Sequence, residues 1–168
     1  LAERLAAAGH AVTGLDLGLF NAARLYPAAE IPLWTADTRD IDPDLFAGQE
    51  AVIHLAELTN DPLGQLNTSL TRDINVEGSL RVARLARAAG VRRFVYFSSC
   101  SVYGEGGAEP CHEESPTFPQ TEYAHAKLAC EAGMRALAGA GFEPVFLRNA
   151  TVYGPSPRMR FDLVVNNL

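Results

Sequence analysis

No stretch of the chain approaches the roughly 20 consecutive apolar residues that a membrane-spanning helix requires, so no membrane partner is expected. Basic residues are scarce. Fourteen Lys and Arg stand against 20 Asp and Glu, a formal net charge of −6, and nowhere do they gather into a cluster. Nucleic acid is therefore not expected as the main partner. There are three cysteines, an odd number in mixed contexts, which do not form a disulfide framework and read as reduced thiols in the cytoplasm. Metal-ligand spacing is missing too. "CHEE" (111–114) has suitable residue types, but they are adjacent in a Pro-containing loop and no second ligand pair follows elsewhere, so no metal is expected. A glycine-rich turn between a first strand and a first helix, the usual phosphate-binding partner of a nucleotide-binding sheet, is not in the sequence.

What is present alternates. The chain has 168 residues, 48% of them hydrophobic, enough interior for one domain. It opens inside a helical pattern, with Leu1, Leu5 and Ala8 on one stripe and Gly9–His10 as the stop. Apolar runs at 11–16, 31–37, 51–57, 93–99 and 143–149 read as strands. A short helix is expected at 42–50, where Asp42 and Pro43 supply the cap and first turn. Longer helices are expected at 66–89, with Ile74, Leu80, Leu85 and Ala89 on or near its apolar side, and at 120–138. Arg81, Arg84 and Arg87 form the solvated side of the first. This alternation gives an α/β fold, a parallel sheet with helices on both faces. Ligands of such sheets bind at the carboxyl ends of the strands, where "SVYG" and "TVYG" both fall.

At that edge lie the residues with chemical potential. Asp16 ends the first run, where a carboxylate accepts both hydroxyls of an adenosine ribose and repels a 2′-phosphate, selecting NAD over NADP. An Asp in a simple turn is the other reading. Asp37 and Thr38 close the second run, as adenine contacts or as ordinary turn residues. "FSSCSVYG" (97–104) places Ser98, Ser99 and Ser101 at a strand's end. Tyr123 and Lys127, four apart, share one helix face. A free Tyr has a pKa of about 10, and a neighbouring ammonium moves it toward the working range of a general base. A Ser hydroxyl beside them completes a proton-transfer trio. His125 lies between the two but faces away from Tyr123. His54 reads as a packed core histidine, and nothing nearby in the sequence marks Cys100 as a reactive thiol.

Together, "LDLG", "ADTRD", "VIHLAE", "DINVEGSLRVARLARAAGVRRFVYFSSCSVYG", "YAHAK" and "LRNATVYGP" resemble the extended short-chain dehydrogenase/reductase family, the NAD-dependent epimerase/dehydratase group that acts on nucleotide sugars. The resemblance covers essentially all 168 residues. It implies a Rossmann-like doubly wound sheet, a single NAD-binding domain over 1–168. The piece would be truncated at both ends, lacking the first strand with its Gly-rich loop and the C-terminal substrate domain. It assigns Tyr123 as the acid/base, Lys127 as the group that lowers its pKa and holds the nicotinamide ribose, and Ser99, four residues before the Tyr of "VYG", as the catalytic hydroxyl. Leu55, Ala56, Asn75 and Ala150 are implied at the cofactor with Asp16, Asp37 and Thr38. Cys100, Ser101 and Thr151 are implied at the substrate with Ser99 and Tyr123. A homodimer through a helix bundle is implied as well.

Two departures from the family pattern shape the functional expectation. Family dehydratases carry an Asp–Glu pair directly after the catalytic hydroxyl. Here Cys100 and Ser101 stand there, which favours epimerisation or simple oxidation and reduction over 4,6-dehydration. Glu57 occupies a place where the family usually has Gly or Ala beside the cofactor, and its charge would either disfavour the pyrophosphate or simply point to solvent. The expected activity is NAD-dependent epimerisation of a nucleotide sugar. The alternatives are an NAD(P)-dependent reductase or dehydrogenase of a non-sugar alcohol and a catalytically silent dinucleotide-binding scaffold.

Overall fold

Strand propensity and helix caps divide the chain much as its apolar runs suggest, with two informative exceptions. The computed structural model describes residues 1–27, 30–59, 66–107 and 109–161. These fall into two compact units, one made of 1–37 with 151–168 and the other of 38–150.

The first unit holds helix α1 (Ala2–Ala7) and strands β1 (Gly14–Asp16) and β2 (Leu33–Thr35). The two strands pair in parallel, Leu15 beside Trp34 and Asp16 beside Thr35. Both are shorter than the apolar runs that contain them, and β2 is exposed along its length. Asp16 closes its own turn, Oδ1 accepting the Gly18 amide at 2.6 Å.

The second unit is built on three parallel strands in the order β3 (Ala51–His54), β4 (Arg93–Ser99), β5 (Glu143–Asn149). Register pairs His54 with Tyr96, and Ser99 with Asn149. Alternation along β4 decides what is buried. Phe94, Tyr96 and Ser98 face the interior, while Arg93, Val95, Phe97 and Ser99 do not. Phe94 and Tyr96 are fully covered, as are Phe142, Met134, Val91 and Val102, and the Phe94 and Phe142 rings lie 5.8 Å apart. Each large apolar chain covered in this way contributes about 1.5–3 kcal/mol.

The helix expected at 42–50 does not form. Asp42 caps a single 3₁₀ turn, Pro43–Phe46, accepting the Asp44 amide at 2.9 Å. Ala47 is then extended and Gly48 takes φ +74°, ending the turn after four residues.

The long helix is present but is not one regular α-helix. Asn67 caps α2 (Thr68–Arg72), a π-helical turn follows at Asp73–Gly78, and α3 (Ser79–Ala88) completes it. A π turn inserts extra residues and rotates the face that follows. The buried side is consequently Thr71, Asn75, Val76, Ser79, Val82, Ala83 and Ala86. Ile74, Leu80 and Leu85 are only half-buried and Ala89 is exposed, which corrects the expected apolar stripe. Arg81, Arg84 and Arg87 are exposed, as expected.

Helix α4 (Glu122–Leu137) has Thr121 as its cap, accepting the Ala124 amide at 3.2 Å, with Glu122 in the first turn. Alanine-rich composition favours the helix and its small side chains allow close packing. Against α3 that approach is tight, for a Cβ on Gly133 would lie 2.6 Å from Leu80 Cδ2. Among the described residues no helix is long and apolar enough to cross a membrane.

Candidate active site

The carboxyl edge of β4 and the first turns of α4 carry the candidate chemistry. Lys127 projects inward from α4 and is 3% exposed. Its Nζ donates to the Phe97 carbonyl of β4, stands 4.6 Å from the centroid of the Tyr96 ring and 5.3 Å from that of Tyr123. Tyr123 is half-buried one turn earlier, while His125 is exposed. The cation is thus fixed beside the phenol by the fold rather than left on the surface.

Ser99 ends β4 two residues past Phe97. Its hydroxyl accepts the Ser101 amide at 3.2 Å and the Ser101 hydroxyl at 2.9 Å, capping the 3₁₀ turn Cys100–Tyr103. Ser98 is different. It points into the core and donates to Glu131 Oε1 at 2.6 Å, so a structural bond occupies it and Ser99 is the serine at the open edge. Cys100 is exposed.

The partner of Lys127 is the feature that sequence reasoning missed. Glu57 does not turn to solvent. Its Oε2 lies 2.7 Å from Lys127 Nζ, with 1% and 4% of the two side chains exposed, an ion contact rather than an aligned hydrogen bond. Its Oε1 accepts the Tyr96 hydroxyl at 2.5 Å, with Ser79 Oγ at 3.5 Å. Burial pushes the Glu57 carboxyl above its ordinary range, while Lys127, Tyr96 and Ser79 pull the other way. Tyr96 is displaced upward by burial and by the Glu57 charge, so it stays a neutral donor. His54 Nε2 meets Ser79 Oγ at 2.8 Å. Burial, with Lys127 adding to it, lowers the pKa of His54 to about 4, which makes it the packed neutral histidine the sequence suggested.

Asn75 sits in the π turn, fully buried. It holds the backbone after β3 from both sides, Oδ1 accepting Leu58 N at 2.8 Å and Nδ2 donating to Leu58 O at 2.9 Å. Cys130 Sγ donates to the Asn75 carbonyl at 3.0 Å, and burial pushes the thiol up to about 12. Leu55 is exposed and Ala56 half-buried just past β3, and Ala150 is exposed just past β5. Thr38 is buried against the π turn, where a Cβ on Gly78 would meet its Oγ1 at 2.9 Å.

A second buried ion pair frames the loop after the serines. Arg148 on β5 forks onto Glu131, Nε to Oε1 at 3.0 Å and Nη2 to Oε2 at 2.7 Å, and its Nη1 reaches Tyr103 Oη and the Glu113 carbonyl. Burial alone would raise Glu131, but the hydrogen bonds from Arg148 and Ser98 outweigh it and the carboxyl is held below its usual range. "CHEE" is a turn here. His112 Nδ1 accepts the Glu114 amide at 3.3 Å and its own amide donates to Ser115 Oγ at 2.9 Å. Among the described residues no group of three or more His, Cys, Asp or Glu could hold a metal.

In the first unit, exposed Asp16 borders a cavity of about 220 Å³ with Phe20, Asn21, Arg24 and Arg158. Arg158 lies over the Phe20 ring at 3.6 Å, and Arg24 donates to Asn21 Oδ1 at 2.9 Å. Phe20, Arg24 and Arg158 were not legible as site residues, since none belongs to a short motif. Half-buried Asp37 and exposed Thr151 lie in the same unit. A wider hollow of about 630 Å³ opens between Gly48–Ala51 and Ala89–Arg93, at the amino ends of β3 and β4. Arg92 and Arg93 there pair with Glu143. It lies at the wrong edge of a parallel sheet for a ligand site.

The sequence model of the NAD dependent epimerase/dehydratase family matches residues 1–168. The chain belongs to this family. A UDP-glucose 4-epimerase of Mycolicibacterium smegmatis is 34% identical over 164 residues, 92% of this chain and 52% of that protein. Among solved structures, an NAD-dependent NDP-hexosamine 5,6-dehydratase of tunicamycin biosynthesis superposes with a TM-score of 0.87 at 28% identity, covering 99% of this chain and 55% of its own. A third relative, MoeE5, solved with UDP-glucose and NAD, gives 0.79 at 27% identity over 99% of this chain and 54% of its own. These neighbours show the Rossmann-like fold, and the family is NAD-dependent. The chain spans about half the length of the curated relatives it matches, 52% of the mycobacterial epimerase. Epimerases and dehydratases both stand among the relatives.

Proposed function

We propose that the chain is the cofactor-binding and acid/base part of an NAD-dependent nucleotide-sugar epimerase. The observation that carries the reading is the burial of Lys127, tied to the Phe97 carbonyl with its ammonium 5.3 Å from the Tyr123 ring. A cation held there favours the phenolate and lets Tyr123 take a proton from a sugar hydroxyl and return it. Ser99 hydrogen-bonds the reacting oxygen, with Ser101 orienting its hydroxyl and Cys100 beside it. Thr151 is proposed at the sugar nucleotide.

The residues present fit the cofactor. Asp16 offers an exposed carboxylate to the adenosine ribose at the border of a cavity, with Asp37 and Thr38 as adenine contacts. Lys127 offers its ammonium to the nicotinamide ribose. Leu55, Ala56 and Ala150 lie at carboxyl ends of strands, suited to lining the cofactor. Asn75 acts by fixing the Leu58 backbone. Bound NAD would supply the hydride acceptor and donor. Epimerisation is preferred to 4,6-dehydration because Cys100 and Ser101 offer no carboxylic acid for eliminating water. The single-domain organisation, a cytoplasmic location and a homodimer through a helix bundle belong to the same proposal.

The test is turnover of UDP- and dTDP-sugars with NAD by the full-length protein, comparing the parent with Tyr123→Phe. Loss of general acid/base catalysis lowers the rate about 10²–10⁴-fold. An unchanged rate refutes the assignment. One observation favours a second reading. Glu57 opposes the charge of Lys127 at 2.7 Å, as a silent dinucleotide-binding scaffold would tolerate. Cofactor binding without any turnover selects that reading, and net consumption of NAD(H) without an epimer selects a reductase.

A further inference from the structure

The buried charge pair has a consequence for the proposed proton relay. Position 57 lies just past β3, and three other elements converge on its carboxylate. Lys127 and Cys130 come from α4, Tyr96 from β4 and Ser79 from α3, with His54 from the end of β3 itself. The polar groups that reach the carboxylate oxygens, Lys127, the Tyr96 hydroxyl and the Ser79 hydroxyl, are all donors, an arrangement suited to an anion. Asn75, held in the π turn, grips Leu58 by both its amide and its carbonyl. The residue after Glu57 is thereby pinned, and the carboxylate is kept inside.

A lone ammonium acts on a phenol as a full positive charge. With a carboxylate 2.7 Å away it acts as a dipole, whose field fades much faster with distance. We infer that Glu57 is a positioning residue of the proposed proton relay, holding Lys127 in place and limiting how much of its charge reaches Tyr123. This rests on the reading of Tyr123 and Lys127 as the proton-transfer pair. Burial raises the Glu57 carboxyl, so a falling pH protonates it early and unmasks the ammonium. The remaining neighbours do not reproduce this effect. His54 is neutral above about pH 4, burial raises the Cys130 thiol to about 12, and Tyr96 stays protonated.

The experiment is an NMR titration of the full-length protein labelled with ¹³C at tyrosine Cζ, the Tyr123 signal being assigned by its loss in Tyr123→Phe. Glu57→Gln keeps the shape and an acceptor for Tyr96 but removes the charge. It lowers the Tyr123 pKa by about one unit, within the range that a nearby charge commands, and Glu57→Asp restores most of the parent value. A structural role alone would leave the titration where it was, so an unmoved or raised Tyr123 overturns the inference. Should Glu57→Gln fail to fold, Tyr96→Phe removes the 2.5 Å hydrogen bond to Oε1. The carboxylate then keeps its charge and is drawn less toward Tyr96, so Tyr123 keeps or raises its pKa, and a fall there overturns the inference. Lys127→Met separates the two claims. If it raises the Tyr123 pKa while Glu57→Gln does nothing, the relay stands and the role of Glu57 falls. If Lys127→Met does nothing, the relay itself is wrong.

Discussion

Burial of His54 should make this fold lose stability in mild acid, above the pH at which ordinary carboxylates are protonated. The His54 ring is 4% exposed, bonded to Ser79 and close to the Lys127 charge. Burial first, and that charge second, lower its pKa from 6.5 to about 4. The unfolded chain therefore binds a proton between these values that the folded chain refuses. Stability from this group is complete above pH 6.5 and is lost as the pH falls toward 4. The full displacement corresponds to about 3 kcal/mol, and about 2 kcal/mol of it is gone by pH 5. Glu131 acts only below its ordinary range, and the raised Glu57 works in the opposite direction. The contribution is therefore isolated by difference. Urea unfolding of the parent and of His54→Gln at pH 7.5 and pH 5 should show the parent losing about 2 kcal/mol more than the variant. Equal losses would mean that His54 is protonated in the folded state and that its burial has been misread.

Three further outcomes follow from single contacts. Arg148→Ala strands the buried Glu131 carboxylate and frees the loop held at Glu113; it costs about 3–5 kcal/mol in chemical unfolding. Because Glu131 is held below its usual range, its contribution is present above the ordinary carboxyl value and lost as pH falls through the lowered one. Glu131→Gln should accordingly flatten the stability profile below about pH 4.5. Gly104→Ala combines φ +69° with a Cβ 2.3 Å from the Phe118 carbonyl oxygen, a backbone clash that no rotamer relieves. It should lower the melting temperature by several degrees or abolish folding, whereas Ala at Gly106, with the same φ but open space, costs only about 1–2 kcal/mol.

What could be read from the sequence follows how local the cause was. β4, β5 and α4 match expectation because Phe94, Tyr96 and the Thr121 cap act within their own segments. The helix at 42–50 failed for an equally local reason: a good cap and Pro43 are followed only five residues later by Gly48 in the left-handed region. The π turn was invisible because a stripe drawn at 3.6 residues assumes a regular helix, and Ile74, Leu80, Leu85 and Ala89 were placed on or near its apolar side in consequence. At the candidate site, the closeness of Tyr123 and Lys127 was legible because four residues make about one helical turn. Ser99 was chosen over Ser98 from the family resemblance alone; the physical difference between the two, the bond that occupies Ser98, needed Glu131, 33 residues away in the chain. The inward turn of Glu57 needed Tyr96, 39 residues away, and Lys127 beyond it. A charged residue after a strand looks solvated until its partners are in place.

The central claim is that the buried ammonium of Lys127 makes the phenol of Tyr123 a competent proton carrier. The pH dependence of kcat/KM for nucleotide-sugar epimerisation by the full-length protein, compared between the parent and Lys127→Met, tests it most directly. The account predicts that the limb set by the free enzyme's base moves to higher pH by about one unit or more in the variant. A variant that is slower but keeps the parent's limb would contradict it.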